Sequence, residues 1–235
     1  MNQHTDIDRL QRDVQYLLDR RAIEDCVHRH ARGHDRFDVD LLTAAYHADG
    51  IDEHGASVNK GPAYGDWANA VHAGGSQLCL HNITTHTCEI DGATAHAESY
   101  VLVGLLDANG KSVRLINGRY VDRLEKREGQ WKIALRRCTV DLLIAGDASI
   151  LALPQFKEGG YIKGQRDKSD VSYQRPLSLT GRRNVGERCP CIDTDEEIHQ
   201  SHRPRHVDLE PREHRDERRR SREDHRSEVH ALRPT

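Results

Sequence analysis

Between Leu78 and Leu143 one pattern recurs four times, a run with apolar residues at every second position, and a glycine-containing turn separates each run from the next. The runs are Leu78 to Ile90, Thr94 to Leu106, Val113 to Leu124 and Trp131 to Leu143. Asp91-Gly92, Asn109-Gly110 and Glu128-Gly129 fall in the gaps, and each is a hairpin signal because its backbone tolerates positive φ. A period of two places alternate side chains on opposite faces of a strand. Four such strands joined by tight turns can only form an antiparallel meander with one buried face, and that face needs a cover.

The cover lies upstream, where the period lengthens to that of a helix. Ile7, Leu10, Val14, Leu17, Leu18, Ala22, Cys26 and Val27 predict one amphipathic helix over about 7–32, with Gly33 as its stop. A second helix is expected over Phe37 to Tyr46 and a short strand over Ala48 to Gly55. A third helix opens at Gly61-Pro62, carries Tyr64, Trp67, Ala68 and Val71 on its apolar side, and closes at Gly74-Gly75. Helices followed by a meander make an α+β fold, a curved sheet with helices over one face. Such a fold encloses a pocket, the usual place for a small ligand.

Composition divides the 235 residues. Every Phe, Tyr and Trp lies at or before Tyr173, whereas residues 181–235 hold 13 Arg, no Lys and 13 Asp or Glu. That segment has too little apolar surface to offset the entropy of ordering, so it reads as a disordered tail. It is either a natural polyampholyte or the product of a shifted reading frame. The expected organisation is a domain over 1–150, an extended segment packed on it over 151–180, and the tail over 181–235. A net charge of −3 gives no reason to expect nucleic acid. The polar N-terminus and the lack of a long apolar run give none to expect export or a membrane, and six cysteines without framework spacing are expected as thiols of a cytoplasmic protein. Cys189-Pro-Cys191 alone is too little for a metal site.

Candidate chemistry concentrates between Arg20 and Asp40, where Asp25 and Asp35 bracket His28, His30 and His34. Asp25 shares a helical stripe with Val14, Leu18 and Ala22, where a carboxylate either has a partner inside a cavity or sits on a polar edge that the helix rolls toward solvent. His81 is a candidate general base, because a neutral imidazole can take a proton near pH 7 and an aspartate on its other nitrogen would fix the tautomer. His30 and His34, one turn apart, have metal-ligand spacing, but a chain with 16 histidines produces such pairs by chance, and no metal is expected. Tyr46 and Trp67 are expected as cavity wall, while Tyr100 and Arg119 either line the pocket or pair across strands.

Three stretches, RRAIEDCVHRHARGHDRFDVDLL, LHNITTHTCEIDGATAHAESYVL and NGRYVDRLEKREGQWKIALRRCTVD, resemble SnoaL-like proteins of the nuclear transport factor 2-like superfamily. The resemblance spans about residues 7–150, and KSDVSYQRPLSL (168–179) is similar to their C-terminal extensions. It implies a cone-shaped, strongly bent antiparallel sheet with N-terminal helices. Family lyases such as scytalone dehydratase, bile acid 7α-dehydratase and lindane dehydrochlorinase work without cofactors through an Asp–His pair. By the AIxD pattern, Asp25 matches the catalytic aspartate of the dehydrochlorinase. Asp35 and His30 match an active-site aspartate and tyrosine of the bile acid enzyme, and His81 matches the catalytic histidine of both. The bile acid enzyme's further Asp and Arg are replaced by Val103 and Val140. The implied function is a cofactor-independent lyase or isomerase for a hydrophobic polycyclic, steroid-like or terpenoid molecule. His81, Asp35 and Asp25 would be catalytic, and His30, Tyr46, Trp67, Tyr100 and Arg119 would touch substrate. The alternative is a non-catalytic binding or assembly module, such as the small subunit of an aromatic-ring dioxygenase. Either is expected as a homodimer or homotrimer.

Overall fold

The computed structural model of the chain describes residues 3–178. The charged tail and Cys189-Pro-Cys191 lie outside the described residues. Helix α1 (Gln3–Arg36) leads into α2 (Val39–Ala44), strands β1 (Tyr46–His54) and β2 (Ser57–Lys60), and α3 (Gly61–Gly75). The meander follows as β3 (Ser76–Asp91), β4 (Thr94–Asp107), β5 (Ser112–Arg127) and β6 (Gln130–Asp147). The six strands form one curved, unclosed sheet in the order β2-β1-β6-β5-β4-β3, with β1 parallel to β6 and all other neighbours antiparallel. The expected hairpins stand where their glycines are, and Glu128 and Gly129 both take positive φ, as a two-residue turn of matching twist requires. Register shifts between Ile83 and His86, Asn117 and Gly118, and Arg123 and Leu124 add bends to the strands.

The buried face of the sheet carries Cys79, Val101, Val103, Leu105 and Tyr120 at one end and Ala95, Ala97, Leu124, Trp131 and Ile133 at the other. The C-terminal half of α1 covers it with Ile23, Cys26, Val27, His30, Ala31 and His34. Asp19 pins the helix, accepting from Lys126 Nζ at 2.7 Å and from Trp131 Nε1 at 2.8 Å. The N-terminal half of α1 differs from expectation. Ile7, Leu10, Val14, Leu17 and Leu18 are exposed. The helical period was right, but the buried stripe runs through Ile23, Val27 and His30, one step round from the stripe of Val14, Leu18 and Asp25.

Nor does α1 stop at Gly33. A Cβ there would lie 2.8 Å from Leu42 Cγ, so this glycine is a contact point for α2 rather than a helix end. Reversal waits for Phe37 at φ 50°. Asp38 then caps α2, accepting from Leu41 N at 3.3 Å. Later residues return to this corner: Lys168 and Tyr173 both bond Asp38, and Arg36 pairs with Asp170 at 3.1 Å. The four described cysteines are free thiols. No helix among the described residues is long and apolar enough to cross a membrane.

Candidate active site

Asp35, in the last turn of α1, meets His81 on the inner face of β3. Its carboxylate accepts the His81 backbone N–H at 3.0 and 3.1 Å and lies 2.8 Å from the ring Nδ1. One residue thus supplies both the amide that aims the carboxylate and the imidazole that the carboxylate aims. The two side chains are only 4% (His81) and 15% (Asp35) exposed. With Nδ1–H given to Asp35, Nε2 is left with the free lone pair.

The His81 ring stacks on His34 at 4.5 Å between centroids and lies edge-on to His72 at 5.6 Å. His34 Nε2 is 3.0 Å from the Tyr64 hydroxyl, which also lies 3.4 Å from His54 Nδ1. Burial pushes His34 well below its ordinary pKa and His72 down to about 4, neighbouring histidines adding to the effect. His54 behaves oppositely. Burial alone would lower it, but the Asp52 carboxylate at 3.2 Å and Cys138 outweigh burial and push it up to about 9. Burial thus favours the neutral form of His34 and His72, while Asp52 favours the charged form of His54.

Two spaces adjoin these rings. A cleft of about 230 Å³ is lined by His81, Asp35, Ala31, Ile83, Arg32 and Arg36, among others. A more enclosed cavity of about 330 Å³ has His54, Tyr64, Trp67, His72, Leu105 and Ile116 in its wall. His72, edge-on to His81, is also in the wall of this larger cavity.

Behind the rings lies a buried polar chain. Arg136 donates to both oxygens of Asp122 at 2.7 and 2.6 Å, both side chains being fully buried. Its third bond, at 2.8 Å, goes to His30 Nδ1. That donor leaves His30 with its proton on Nε2, facing the Tyr46 oxygen at 3.2 Å, and Tyr46 donates to Asp52 at 2.5 Å. Burial and the Arg136 charge keep His30 neutral.

The sequence candidates divide accordingly. Asp35 and His81 are brought together and Trp67 lines the cavity. Asp25 is ion-paired with Arg21 at 2.9 Å on the outer side of α1, because it lies on the exposed stripe. His30 and Tyr46 are core residues whose polar atoms bond each other and the buried chain. Arg119 pairs across strands with Glu98 at 3.1 Å and Asp141 at 2.9 Å, and Tyr100, its register partner, is exposed beside it. His28, His30 and His34 do not converge, since His28 is exposed and His30 faces Arg136. His54, Tyr64 and His72 were missed as site residues. The signal was present: Tyr64, Ala68 and His72 share a helical stripe at steps of four, and Asp52 and His54 share a strand face.

A bent sheet lidded by helices, with a buried Asp–His pair beside an enclosed cavity, is the architecture of a small-molecule pocket protein. Residues 15–137 match the SnoaL-like domain, and the chain belongs to that family, within the nuclear transport factor 2-like superfamily. Among solved structures it is similar to LinA, with a TM-score of 0.53 and 25% identity over 56% of this chain and 91% of that one. It is also similar to the hexachlorocyclohexane dehydrochlorinase LinA-type3 from Novosphingobium barchaimii LL02, at 0.54 and 23% over 57% and 94%. A candidate scytalone dehydratase from Novosphingobium aromaticivorans DSM 12444 superposes at 0.50 with 19% identity over 55% and 88%. No curated protein matches the sequence.

Proposed function

We propose that the chain is a lyase that eliminates water or halide from a small hydrophobic molecule by general base catalysis, without a cofactor. The carrying observation is the Asp35–His81 pair, in which a half-buried carboxylate, held by the His81 backbone N–H, orients the His81 ring. His81 Nε2 takes a proton from a substrate carbon, the C–H electrons form the double bond, and the leaving group departs from the neighbouring carbon. Asp35 stabilises the imidazolium as it forms. His54, protonated at neutral pH, and the Tyr64 hydroxyl beside it can donate the proton that a hydroxide leaving group needs. Separated acid and base roles of this kind support the reading, as does the likeness to a structure named a dehydrochlorinase.

The dyad itself lines the 230 Å³ cleft, and the 330 Å³ cavity, whose wall includes His72 edge-on to the His81 ring, would take the bulk of the substrate. That volume is near the lower end for ligand sites, about 300–1,000 Å³, so one or two rings fit better than a four-ring steroid. Purified protein would be incubated with a panel of cyclic β-hydroxy ketones and polychlorinated cycloalkanes, with alkene product followed by mass spectrometry. Turnover of at least one class is expected. His81→Ala should lower it by about 10²–10⁴-fold, with partial rescue by imidazole in the buffer. Asp35→Asn should do nearly as much, since its amide cannot stabilise the imidazolium. Full activity in His81→Ala would remove the dyad from the chemistry.

A further inference from the structure

We propose that His34, His72 and His81 form a binding site for a first-row divalent transition metal, with zinc(II) as its natural occupant by ligand type. One ring nitrogen from each lies within 4.8 Å of the other two. Three elements supply them: α1, α3 and β3. Each histidine has the second interaction, or the freedom, that a metal ligand needs. His81 gives Nδ1–H to Asp35, the carboxylate–histidine arrangement that sets the tautomer and raises the basicity of the other nitrogen. His34 has Nε2 on the Tyr64 hydroxyl, while its Nδ1 is fully buried with no hydrogen-bond partner. A buried polar atom without a partner calls for an explanation, and a lone pair held for a cation supplies one. With Nε2–H given to the Tyr64 oxygen, Nδ1 presents that lone pair. His72 makes no side-chain hydrogen bond among the described residues and can turn toward the other two.

Zinc takes nitrogen ligands at about 2.0–2.1 Å, which in a tetrahedral site sets them about 3.3 Å apart, so binding must draw the rings together by up to about 1.5 Å. His72 borders the 330 Å³ cavity, which provides a route in and room for a water or anion as fourth ligand. Three neutral imidazoles and one open position are the donor set of catalytic zinc sites. A competing trio of Asp35, Cys79 and His81 shares His81. It is weaker because Cys79 already donates its thiol to the His34 carbonyl at 3.4 Å.

The inference goes beyond the lyase reading and stands without it. The two meet at His81, whose free nitrogen cannot accept a proton while it holds a metal. Zinc would then be a reversible inhibitor of the elimination.

The test titrates tag-free, full-length protein with cobalt(II) chloride in a non-chelating buffer. One equivalent should give the intense visible bands of a low-coordinate site, and zinc should erase them. His72→Ala, checked by circular dichroism for a native fold, should lose the bands. Asp35→Asn should keep them but bind zinc about 10–100-fold more weakly. Bands that survive in His72→Ala, or cobalt bound only with the weak spectrum of the hydrated ion, would overturn the site. If His72→Ala does not fold, zinc-edge X-ray absorption on the wild type decides. Three imidazoles at about 2.0–2.1 Å support the proposal, and a shell containing sulfur or lacking imidazole defeats it. Alkene formation in a protein without the cobalt spectrum would leave the lyase reading intact and remove the metal site. The spectrum without alkene formation would do the reverse.

Discussion

Arg136 is the residue on which the interior turns. Burial opposes its charge, and Asp122 more than restores it through two short parallel bonds. Breaking such a pair leaves a lone charge in the core. Asp122→Asn should therefore lower stability by about 3–5 kcal/mol in urea denaturation, whereas replacing both residues with well-packed apolar ones should lower it far less. The next residue along, His30, gives the protein a pH signature. It is neutral and depressed when folded, so the unfolded chain binds the extra proton below the ordinary histidine pKa of about 6.5. Its contribution is complete above that pH and fades as pH falls. His54, pushed up to about 9, holds a proton that the unfolded chain lacks, so its contribution fades as pH rises from about 6.5 through 9. Melting temperature in metal-free buffer should peak near neutrality and decline on both sides. An acid limb that persists unchanged in His30→Gln would show that His30 is not its source.

At the scale of elements, what the sequence could declare was period, and what it could not was phase. Strands β3 to β6 were legible because alternation and turn glycines are local signals. α3 was legible because Pro62 and Gly74-Gly75 punctuate it. In α1, apolar residues lie on more than one side, and nothing local says which side the sheet covers. That ambiguity put Asp25 forward as a catalytic candidate. β2, four residues long, carries too short a pattern to detect. His81 was legible only as one imidazole that could serve as a base until the family resemblance singled it out, and its partner was decided by where α1 ends. Gly33, in the last turn, lets α2 pack closely against that end. Gly33→Val should drive a side chain into Leu42 and cost about 1–3 kcal/mol, and trimming Leu42 to Ala in the same chain should return part of the loss. Additive effects in the double variant would rule out the contact as the cause.

Across the whole molecule, apolar groups remain uncovered on the outer face of the sheet. Leu115 and Ile144 are register partners there, with Leu142 and Val121 nearby, and all are exposed. The exposed stripe of α1 adds to them. A patch of this kind is a typical site of association, and a second copy of the chain is the simplest occupant. Light scattering at micromolar concentration should give the mass of a dimer or trimer, and Leu142→Glu with Ile144→Glu should shift it toward that of one chain. A wild type that runs as a single chain would refute the assembly.

The cavity and the dyad are built by different parts of the chain. Asp35 and His81 come from the end of α1 and from β3, whereas Trp67, Val71, Leu105 and Ile116, which give the cavity its shape, come from α3, β4 and β5. Selection can therefore act on the two separately. On the lyase reading, substitutions at Val71 or Ile116 should change which molecules enter the cavity while the Asp35–His81 geometry stays as it was, so one scaffold could serve different substrates with one reaction.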